Sequence, residues 1–345
     1  MAMRAALLTE LPSEHLALDA SYPDPRPAAD AVVLEVEACG ICGTDLEILK
    51  GRSYAPELPF VLGHEPVGRV VEVGADADPA LHGQRVTMTI FVGHEESCET
   101  CQAHPDWRTP CRTGDERLCY AGAEVIGVLG RRPGGFAERL EVPARLLVPV
   151  PEGLAGEAAA ALVDAGATAA NAARHLDPDD PRPSAVFGAG PLGFLLAQLL
   201  AGPVVVVEPN PRRRAAAAAI ELDTAASPDE LEFPLGTIFD CAGAAELFDR
   251  GLELLGPRGR YVVVGYGEVS SSTAPLARKE LRVEGVRSGR REDLERVLAA
   301  AASGELLLPE IETWPLERID EAFAALRAGE VAGKAVIVTQ NPEDR

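Results

Sequence analysis

Cysteine and histidine residues near the start of the chain form the pattern best suited to metal chemistry. Cys39 and Cys42 stand in the segment CGICGTD, and His64 follows in GHE. Thiolate and imidazole are ligands that zinc prefers, and a Cys and a His from separate segments leave positions for a third protein group and a substrate. Taken alone, CxxC also fits a redox pair, and His64 also fits a histidine of the core.

Four further cysteines form a second candidate metal site in a polar, loop-like segment, residues 93–122. They follow the spacing x2, x9, x7 and are Cys98, Cys101, Cys111 and Cys119. Four thiolates make a closed tetrahedral zinc site, which stabilises a lobe without doing chemistry. Six of the seven cysteines lie between positions 39 and 119, which favours metal ligands over a disulfide framework. The alternatives are His104 in place of Cys111, or free cysteines.

A glycine-rich turn is the strongest cofactor signal. It is the segment GAGPLG, whose candidate cofactor contacts are Gly188, Gly190, Pro191, Leu192 and Gly193. The turn follows the apolar strand SAVF and opens an apolar helix, so we expect its backbone N–H groups to face a dinucleotide pyrophosphate.

The nearby charges favour one form of this cofactor. Glu208 ends the next apolar strand, twenty residues after Gly188. A carboxylate there accepts hydrogen bonds from the adenosine ribose and repels a 2′-phosphate. NAD is therefore favoured over NADP, although Arg213 and its neighbouring arginines would hold a 2′-phosphate if Glu208 pointed away.

The predicted secondary structure that must position these residues changes near residue 151. Residues 4–88 contain short alternating strands such as VVLEVEACG, which are typical of a mainly β domain. Beyond residue 151, a helical stretch rich in alanine precedes apolar strands that alternate with helices: SAVF, PVVVVEP, GTIFDCAG and RYVVVGYG. This alternation predicts a parallel, doubly wound sheet. After about residue 288, two amphipathic helices and the strand AVIVTQ return to a mixed pattern.

The overall charge excludes several classes of partner. Against 32 Lys and Arg stand 54 Asp and Glu, a formal net charge of −22. Such a surface repels phosphates, so we expect neither a nucleic-acid partner nor an anionic membrane. Salt adaptation and a GC-rich genome both explain the shortage of lysine and the abundance of alanine. We find neither a signal peptide nor an apolar run long enough to span a bilayer, so a cytoplasmic location is expected.

Taken together, the motifs resemble those of the zinc-dependent medium-chain alcohol and polyol dehydrogenases. GHEPVGRVVEVGADA fits the family's GHExxG(x5)G signature, CGICGTD its first-ligand motif and GAGPLG its cofactor turn. The resemblance implies an α/β fold class, in which a Rossmann doubly wound parallel sheet domain, residues 151–287, joins a GroES-like mainly β catalytic domain, residues 1–150 and 288–345. Relatives space their four lobe cysteines x2, x2, x7, so this chain carries seven extra residues in the lobe.

The resemblance also implies a catalytic zinc ion and its ligands. Cys42, His64 and Asp164 are the expected ligands, and Asp164 falls where relatives place a Cys, Glu or Asp. An ordinary surface aspartate on a helix rich in alanine is the alternative for Asp164. Glu65 is expected to orient the site, or to bind the metal when water or substrate exchanges.

Four more residues receive roles from the resemblance. Thr44 matches the hydroxyl that relays the substrate proton. Glu47 stands where many alcohol dehydrogenases carry a histidine that passes the proton outward, and the form CGTDxE is closer to the sugar (glucose) dehydrogenase branch. Val264 and Gly265, in VVVGYG, are expected to approach the nicotinamide.

The implied activity is hydride transfer between NAD(P) and a small-molecule alcohol, which would be a secondary alcohol, a polyol or a sugar. Zinc and NAD are the implied cofactors, and a homo-oligomer, either a dimer or a tetramer, is the implied assembly. A glucose-type 1-dehydrogenase, a zinc-free reductase of the same superfamily and a non-catalytic nucleotide-binding protein are the alternatives.

Overall fold

Two units make up the computed structural model, which describes residues 2–52, 54–92, 124–232 and 234–339. The first unit is Met1–Asp164 with Ile311–Arg345, and the second is Ala165–Glu310. The second unit ends later than the expected residue 287 because the helix Ala165–Ala173 packs on the helix Arg291–Ser303, which keeps the chain up to residue 310 in that unit. It begins later than the expected residue 151 because the helix Gly156–Ala160 contacts the strands Ala31–Gly40 and Glu65–Val73 of the first unit. The predicted four-cysteine lobe, with Cys98, Cys101, Cys111 and Cys119, lies outside the described residues.

The first unit is built mainly from antiparallel strands. They are β1 Ala2–Leu8, β2 Ala17–Pro23, β3 Ala31–Gly40, β4 Phe60–Val61, β5 Glu65–Val73, β6 Arg85–Met88, β7 Phe91–Val92, β8 Glu124–Val125, β9 Arg139–Pro143, β10 Leu147–Pro149, β17 Ile311–Pro315 and β18 Lys334–Val338. The largest sheet runs β10-β6-β5-β3-β18-β17, with β9 also paired to β3, while β2-β1-β4 and β7-β8 form smaller sheets. Strand β3 is almost wholly buried, so it can hold residues at its end in fixed positions.

Short helices complete the first unit. They are α1 Gly43–Leu49, α2 Gly156–Ala160 and α9 Ile319–Arg327, with 3₁₀ turns at Pro79–Leu81, Ala144–Leu146 and Leu316–Arg318. Helix α1 starts directly after the end of β3, where the backbone N–H of Cys42 donates to the Asp45 carboxylate at 2.9 Å. That hydrogen bond is one half of a capping box, and it orders the first turn of the helix.

The second unit contains a six-stranded sheet in which every strand pairing is parallel. Its strands are β11 Ser184–Phe187, β12 Val204–Val207, β13 Asp223–Ala225, β14 Leu235–Asp240, β15 Leu255–Val263 and β16 Arg282–Gly285. They follow the order β13-β12-β11-β14-β15-β16, which is the Rossmann order 3-2-1-4-5-6. The predicted doubly wound parallel sheet is therefore confirmed.

Helices accompany this sheet in the second unit. They are α3 Ala165–Ala173, α4 Pro191–Leu199, α5 Pro211–Ala219, α6 Ala245–Leu254, α7 Ala274–Lys279 and α8 Arg291–Ser303, with a 3₁₀ turn at Pro228–Glu230. Phe187, Ile238 and Tyr261 belong to a buried core cluster of this unit. Within the described ranges of the chain, no helix has the length and apolar character needed to cross a membrane.

Candidate functional site

Four side chains with metal-binding atoms converge in the first unit. They are Cys42, His64, Glu65 and Asp164, and one ligand atom from each lies within 4.8 Å of the others. The Cys42 Sγ is 3.4 Å from Asp164 Oδ2, and His64 Nε2 is 3.6 Å from the same oxygen. The structure therefore brings together the three predicted zinc ligands and the predicted neighbouring carboxylate.

Strand register explains how distant positions meet at this cluster. Strands β3 and β5 are antiparallel, with Gly40 opposite Glu65. The chain leaves β3 at Gly40 and reaches Cys42 at the N-terminus of α1, while His64 directly precedes β5. Gly63 has a φ of 101°, and a Cβ there would meet Phe136 at 2.8 Å. Only glycine suits that conformation and that space.

The spacing of the donor atoms fits a tetrahedral metal ion. Zinc bonds of about 2.0–2.3 Å place neighbouring ligand atoms about 3.3–3.8 Å apart in a tetrahedron. The distances from Asp164 Oδ2 to Cys42 Sγ and to His64 Nε2, 3.4 and 3.6 Å, both fall in that range. One sulfur, one nitrogen and one oxygen also make a donor set suited to zinc. These residues therefore fit a catalytic zinc ion with one coordination position left for a substrate.

A buried carboxylate supports two of these ligands. Asp45 Oδ1 lies 3.5 Å from His64 Nδ1, and neither side chain is more than 1% exposed. The other oxygen of Asp45 accepts the backbone N–H of Cys42. A carboxylate behind a ligating histidine fixes the ring orientation and leaves Nε2 for the metal. Asp45 thus fixes the positions of both ligands through its two carboxylate oxygens.

The surrounding charges decide which groups of the cluster carry protons. Burial, and then the Asp164 carboxylate, raise the pKa of the Cys42 thiol. Burial disfavours the charged form of His64, but the carboxylates of Asp45 and Asp164 outweigh it and raise the pKa of His64. Burial would also raise the pKa of Asp164, yet hydrogen bonding to His64 lowers it to about 2. Before a metal ion binds, both shifts therefore favour the protonated forms of Cys42 and His64.

Zinc affinity is expected to fall as the pH is lowered. Zinc binds a thiolate and a neutral imidazole, so binding must release the protons of Cys42 and His64. Because both pKa values are raised, the affinity should fall about 10- to 100-fold per unit of acidification, for one or two protons released. Chelator competition between about pH 6.5 and pH 8.5 measures this slope. An affinity independent of pH would contradict thiolate ligation.

A buried lysine completes the surroundings of Glu65. Lys334 Nζ lies 2.7 Å from Glu65 Oε1 and 2.5 Å from Oε2. The two side chains are 3% and 0% exposed. No motif in the sequence marks Lys334. The available signal was its rarity, since it is one of three lysines in the chain and stands at the start of the apolar strand KAVIV.

The two predicted proton-relay residues lie on helix α1. Thr44 is half-buried, and its Oγ1 is 3.7 Å from Cys42 Sγ. Glu47 is three residues further on and forms an ion pair with Lys50 at 2.6 Å, with its side chain 36% exposed. Glu47 therefore does not belong to the metal-binding cluster, whereas Thr44 adjoins it.

In the second unit, the glycine turn links β11 to α4 as predicted. Gly188 has a φ of 94°, and Gly190 is the N-cap residue of α4, which begins at Pro191. A Cβ at Gly193 would lie 1.9 Å from the carbonyl oxygen of Gly188, so the helix approaches the strand more closely than any larger residue permits. Leu192 is half-buried in the first turn of the helix. These residues present a helix N-terminus suited to an anion.

Glu208 has a local structural role that the sequence did not predict. Its Oε2 accepts the backbone N–H of Ala189 at 2.8 Å, and its Oε1 accepts that of Asn210 at 2.8 Å. The residue is only 4% exposed. The carboxylate therefore stabilises both the glycine turn and the loop after β12, and it places a negative charge beside the turn.

The remaining predicted cofactor residues lie near the carboxyl ends of the parallel strands or in the helix that follows one of them. Val264 and Gly265 follow β15, and their N–H groups both donate to the carbonyl of Asp240, at 2.9 and 2.8 Å. Arg213 is half-buried in the first turn of α5. Ligands of open α/β sheets bind at this edge, so the placement agrees with a cofactor-binding role.

Two family models match the chain. Residues 28–152 match the alcohol dehydrogenase GroES-like domain, and residues 232–337 match a zinc-binding dehydrogenase domain. The predicted GroES-like component of the fold class is thereby confirmed.

Individual proteins similar to the chain carry dehydrogenase names. The chain is 33% identical to L-threonine 3-dehydrogenase of Coxiella burnetii over 243 residues. That alignment covers 68% of this chain and 65% of the relative. It is 30% identical to a probable cinnamyl alcohol dehydrogenase of Lolium perenne, covering 90% of this chain and 88% of that protein. The solved structure of a cobalt- and zinc-bound thermostable alcohol dehydrogenase from Pyrobaculum aerophilum superposes with a TM-score of 0.84, at 28% identity, over 98% of this chain and 99% of that one.

Proposed function

Because the chain belongs to the zinc-dependent medium-chain alcohol and polyol dehydrogenases, we propose that it transfers a hydride between a small alcohol and NAD. The observation that carries the proposal is the convergence of Cys42, His64 and Asp164 at distances that suit a tetrahedral metal ion. Three protein ligands leave one position for substrate, which distinguishes a catalytic zinc site from a closed structural one. The substrate class is a secondary alcohol, a polyol or a sugar.

The residues of the first unit hold the substrate oxygen and move its proton. When bound at Cys42, His64 and Asp164, zinc supplies Lewis-acid polarisation that makes a substrate hydroxyl more acidic. The Thr44 hydroxyl, next to the Cys42 sulfur, accepts that proton and donates its own. Glu47 lies three positions along α1, hence on the same helix face. Its partly exposed carboxylate receives the proton and passes it to solvent.

The residues of the second unit hold the cofactor. The N–H groups at the start of α4 would hold the pyrophosphate, and Gly190, where an added Cβ meets no atom within 4 Å, would leave room for its approach. When bound there, NAD would supply the acceptor for a hydride from the carbinol carbon. The buried carboxylate of Glu208 favours the ribose hydroxyls of NAD and disfavours the 2′-phosphate of NADP. Arg213 is the residue that would support NADP.

An activity screen with both cofactors tests this function directly. We expect reduction of NAD with at least one member of a panel of primary and secondary alcohols, polyols and aldoses. With NADP the value of kcat/KM should be about 10- to 100-fold lower, because a 2′-phosphate would meet the charge of Glu208. Activity measured at low and at multimolar salt tests at the same time whether the acidic composition is an adaptation to salt. Tight NAD binding without turnover on the whole panel would favour a nucleotide-binding protein instead.

Two further expectations stay predictions. They are assembly into a homo-oligomer, a dimer or a tetramer, and a cytoplasmic location.

A further inference from the structure

The buried ion pair between Glu65 and Lys334 lies against Gly40, where any larger residue would collide with it. Strand β3 lies between β5 and β18, so Gly40 faces both partners. A Cβ at Gly40 would lie 2.2 Å from Glu65 Oε2 and 2.9 Å from Lys334 Cε. Glycine has no side chain to pack, so it weakens a strand at such a position. The ion pair occupies the space that a side chain at position 40 would fill.

Stability alone does not explain this pair. Removing two charges from water costs about as much as their attraction returns, and well-packed apolar residues often serve equally well. The chain has three lysines, and one of them is almost completely buried here. The buried Glu65–Lys334 ion pair therefore points to a function that a pair of apolar residues could not perform.

The position of Glu65 indicates the task. A ligand atom of Glu65 lies within 4.8 Å of those of Cys42, His64 and Asp164. A zinc ion with these three ligands accepts one more, and a fourth protein ligand would close the site as in a structural zinc centre. A carboxylate is a good zinc ligand, so an unrestrained Glu65 would compete with substrate for that position.

We propose that Lys334 is a positioning residue that holds the Glu65 carboxylate away from the metal and thereby keeps the fourth coordination position free for substrate. The charges agree with this role. Ionised Cys42 and Asp164 neutralise the two charges of a zinc ion, so the charge of Glu65 is balanced by Lys334 and not by the metal. This role rests on the proposed function, because it assumes a metal ion at the cluster.

Cobalt substitution tests the role without any substrate. The visible spectrum of protein loaded with Co²⁺ reports the coordination of the metal, and imidazole serves as the probe for the fourth position. In Lys334→Met, Glu65 should enter the coordination sphere. The spectrum should then differ from that of the parent, and imidazole should bind at least about tenfold more weakly. The double variant Lys334→Met/Glu65→Gln should regain most of the parent's imidazole affinity, because the competing carboxylate is gone.

A second lysine provides a matched control. Lys279 Nζ donates to the carbonyls of Leu252, Glu253 and Leu255 at 2.8–2.9 Å, within the second unit. Lys279→Met should therefore leave both the cobalt spectrum and the imidazole affinity as in the parent. If Lys334→Met does not fold, Lys334→Gln keeps a hydrogen-bond donor beside Glu65 while removing the charge, and it should weaken imidazole binding in the same direction.

The outcomes separate this role from the proposed function. Imidazole affinity within twofold of the parent in Lys334→Met, or in Lys334→Gln where only that variant folds, would overturn the positioning role. A parent that binds cobalt and imidazole but oxidises no alcohol would overturn the proposed function and leave the positioning role supported. A parent that binds no cobalt would overturn both.

Discussion

Replacing Cys42 with serine is expected to abolish stoichiometric zinc at the cluster and to lower turnover about 1000-fold or more. A neutral hydroxyl is a much poorer zinc ligand than a thiolate, because it carries no charge at neutral pH and its oxygen is a harder donor. Metal polarisation contributes several kcal/mol to stabilisation of the transition state, and each 1.36 kcal/mol is a factor of about ten in rate. Metal analysis and steady-state kinetics on the same preparation measure both effects.

Cys39 provides the matched control for this substitution. It stands three positions before Cys42, is fully buried, and has a thiol pKa that burial raises. Its sulfur is not part of the metal-binding cluster, so Cys39→Ala should retain zinc and most of the turnover. Equal losses of turnover in both variants, with zinc retained in both, would instead support a redox pair and contradict the metal assignment.

Replacing Gly190 with alanine is expected to weaken NAD binding about 10- to 100-fold while leaving the folded protein as stable as before. Among the described residues, a Cβ at this position meets no atom within 4 Å. Its φ of −63° and ψ of 177° suit an alanine. Only a ligand approaching the start of α4 therefore requires glycine here. A methyl group forced against that ligand costs about 1–3 kcal/mol, which corresponds to the expected change in affinity.

Gly193→Ala is the contrasting variant for the same turn. Its Cβ would lie 1.9 Å from the Gly188 carbonyl oxygen, a backbone atom that cannot move away cheaply, so its first effect should be on folding. Titration of NADH fluorescence and the midpoint of thermal unfolding, measured on both variants, separate the two effects. Parent-like NAD affinity in Gly190→Ala would show that the cofactor does not bind at this turn.

Local patterns were sufficient to predict the second unit. Strand SAVF, the turn GAGPLG and the following helix lie within a single contiguous segment, and their hydrophobic periodicity and glycine spacing are properties of neighbouring residues. The parallel sheet follows from the alternation of strands and helices, and the observed order confirms it. The boundary near residue 310 was not predictable in this way, because it depends on packing between α3 and α8.

The candidate metal site was only partly predictable. Cys42 and His64 stand in recognisable motifs, but Asp164 lies in a segment rich in alanine whose local pattern predicts nothing about a ligand. It came from the family resemblance, and its contact with Cys42 spans 122 positions of the chain. Glu47, which the same resemblance placed in the proton path, pairs with Lys50, and its role in that path stays a prediction.

By itself the sequence determined which residue types are available for chemistry and which segments are strands, helices and turns. The tertiary structure alone decided which distant side chains meet. Lys334 reaches Glu65 across 269 positions because β18, β3 and β5 are neighbours in one sheet, and Glu208 reaches the glycine turn because β11 and β12 run in parallel. Sheet neighbours and register depend on the packing of the whole unit, since local preferences act over a few residues and a strand pairing joins residues that are far apart in the chain.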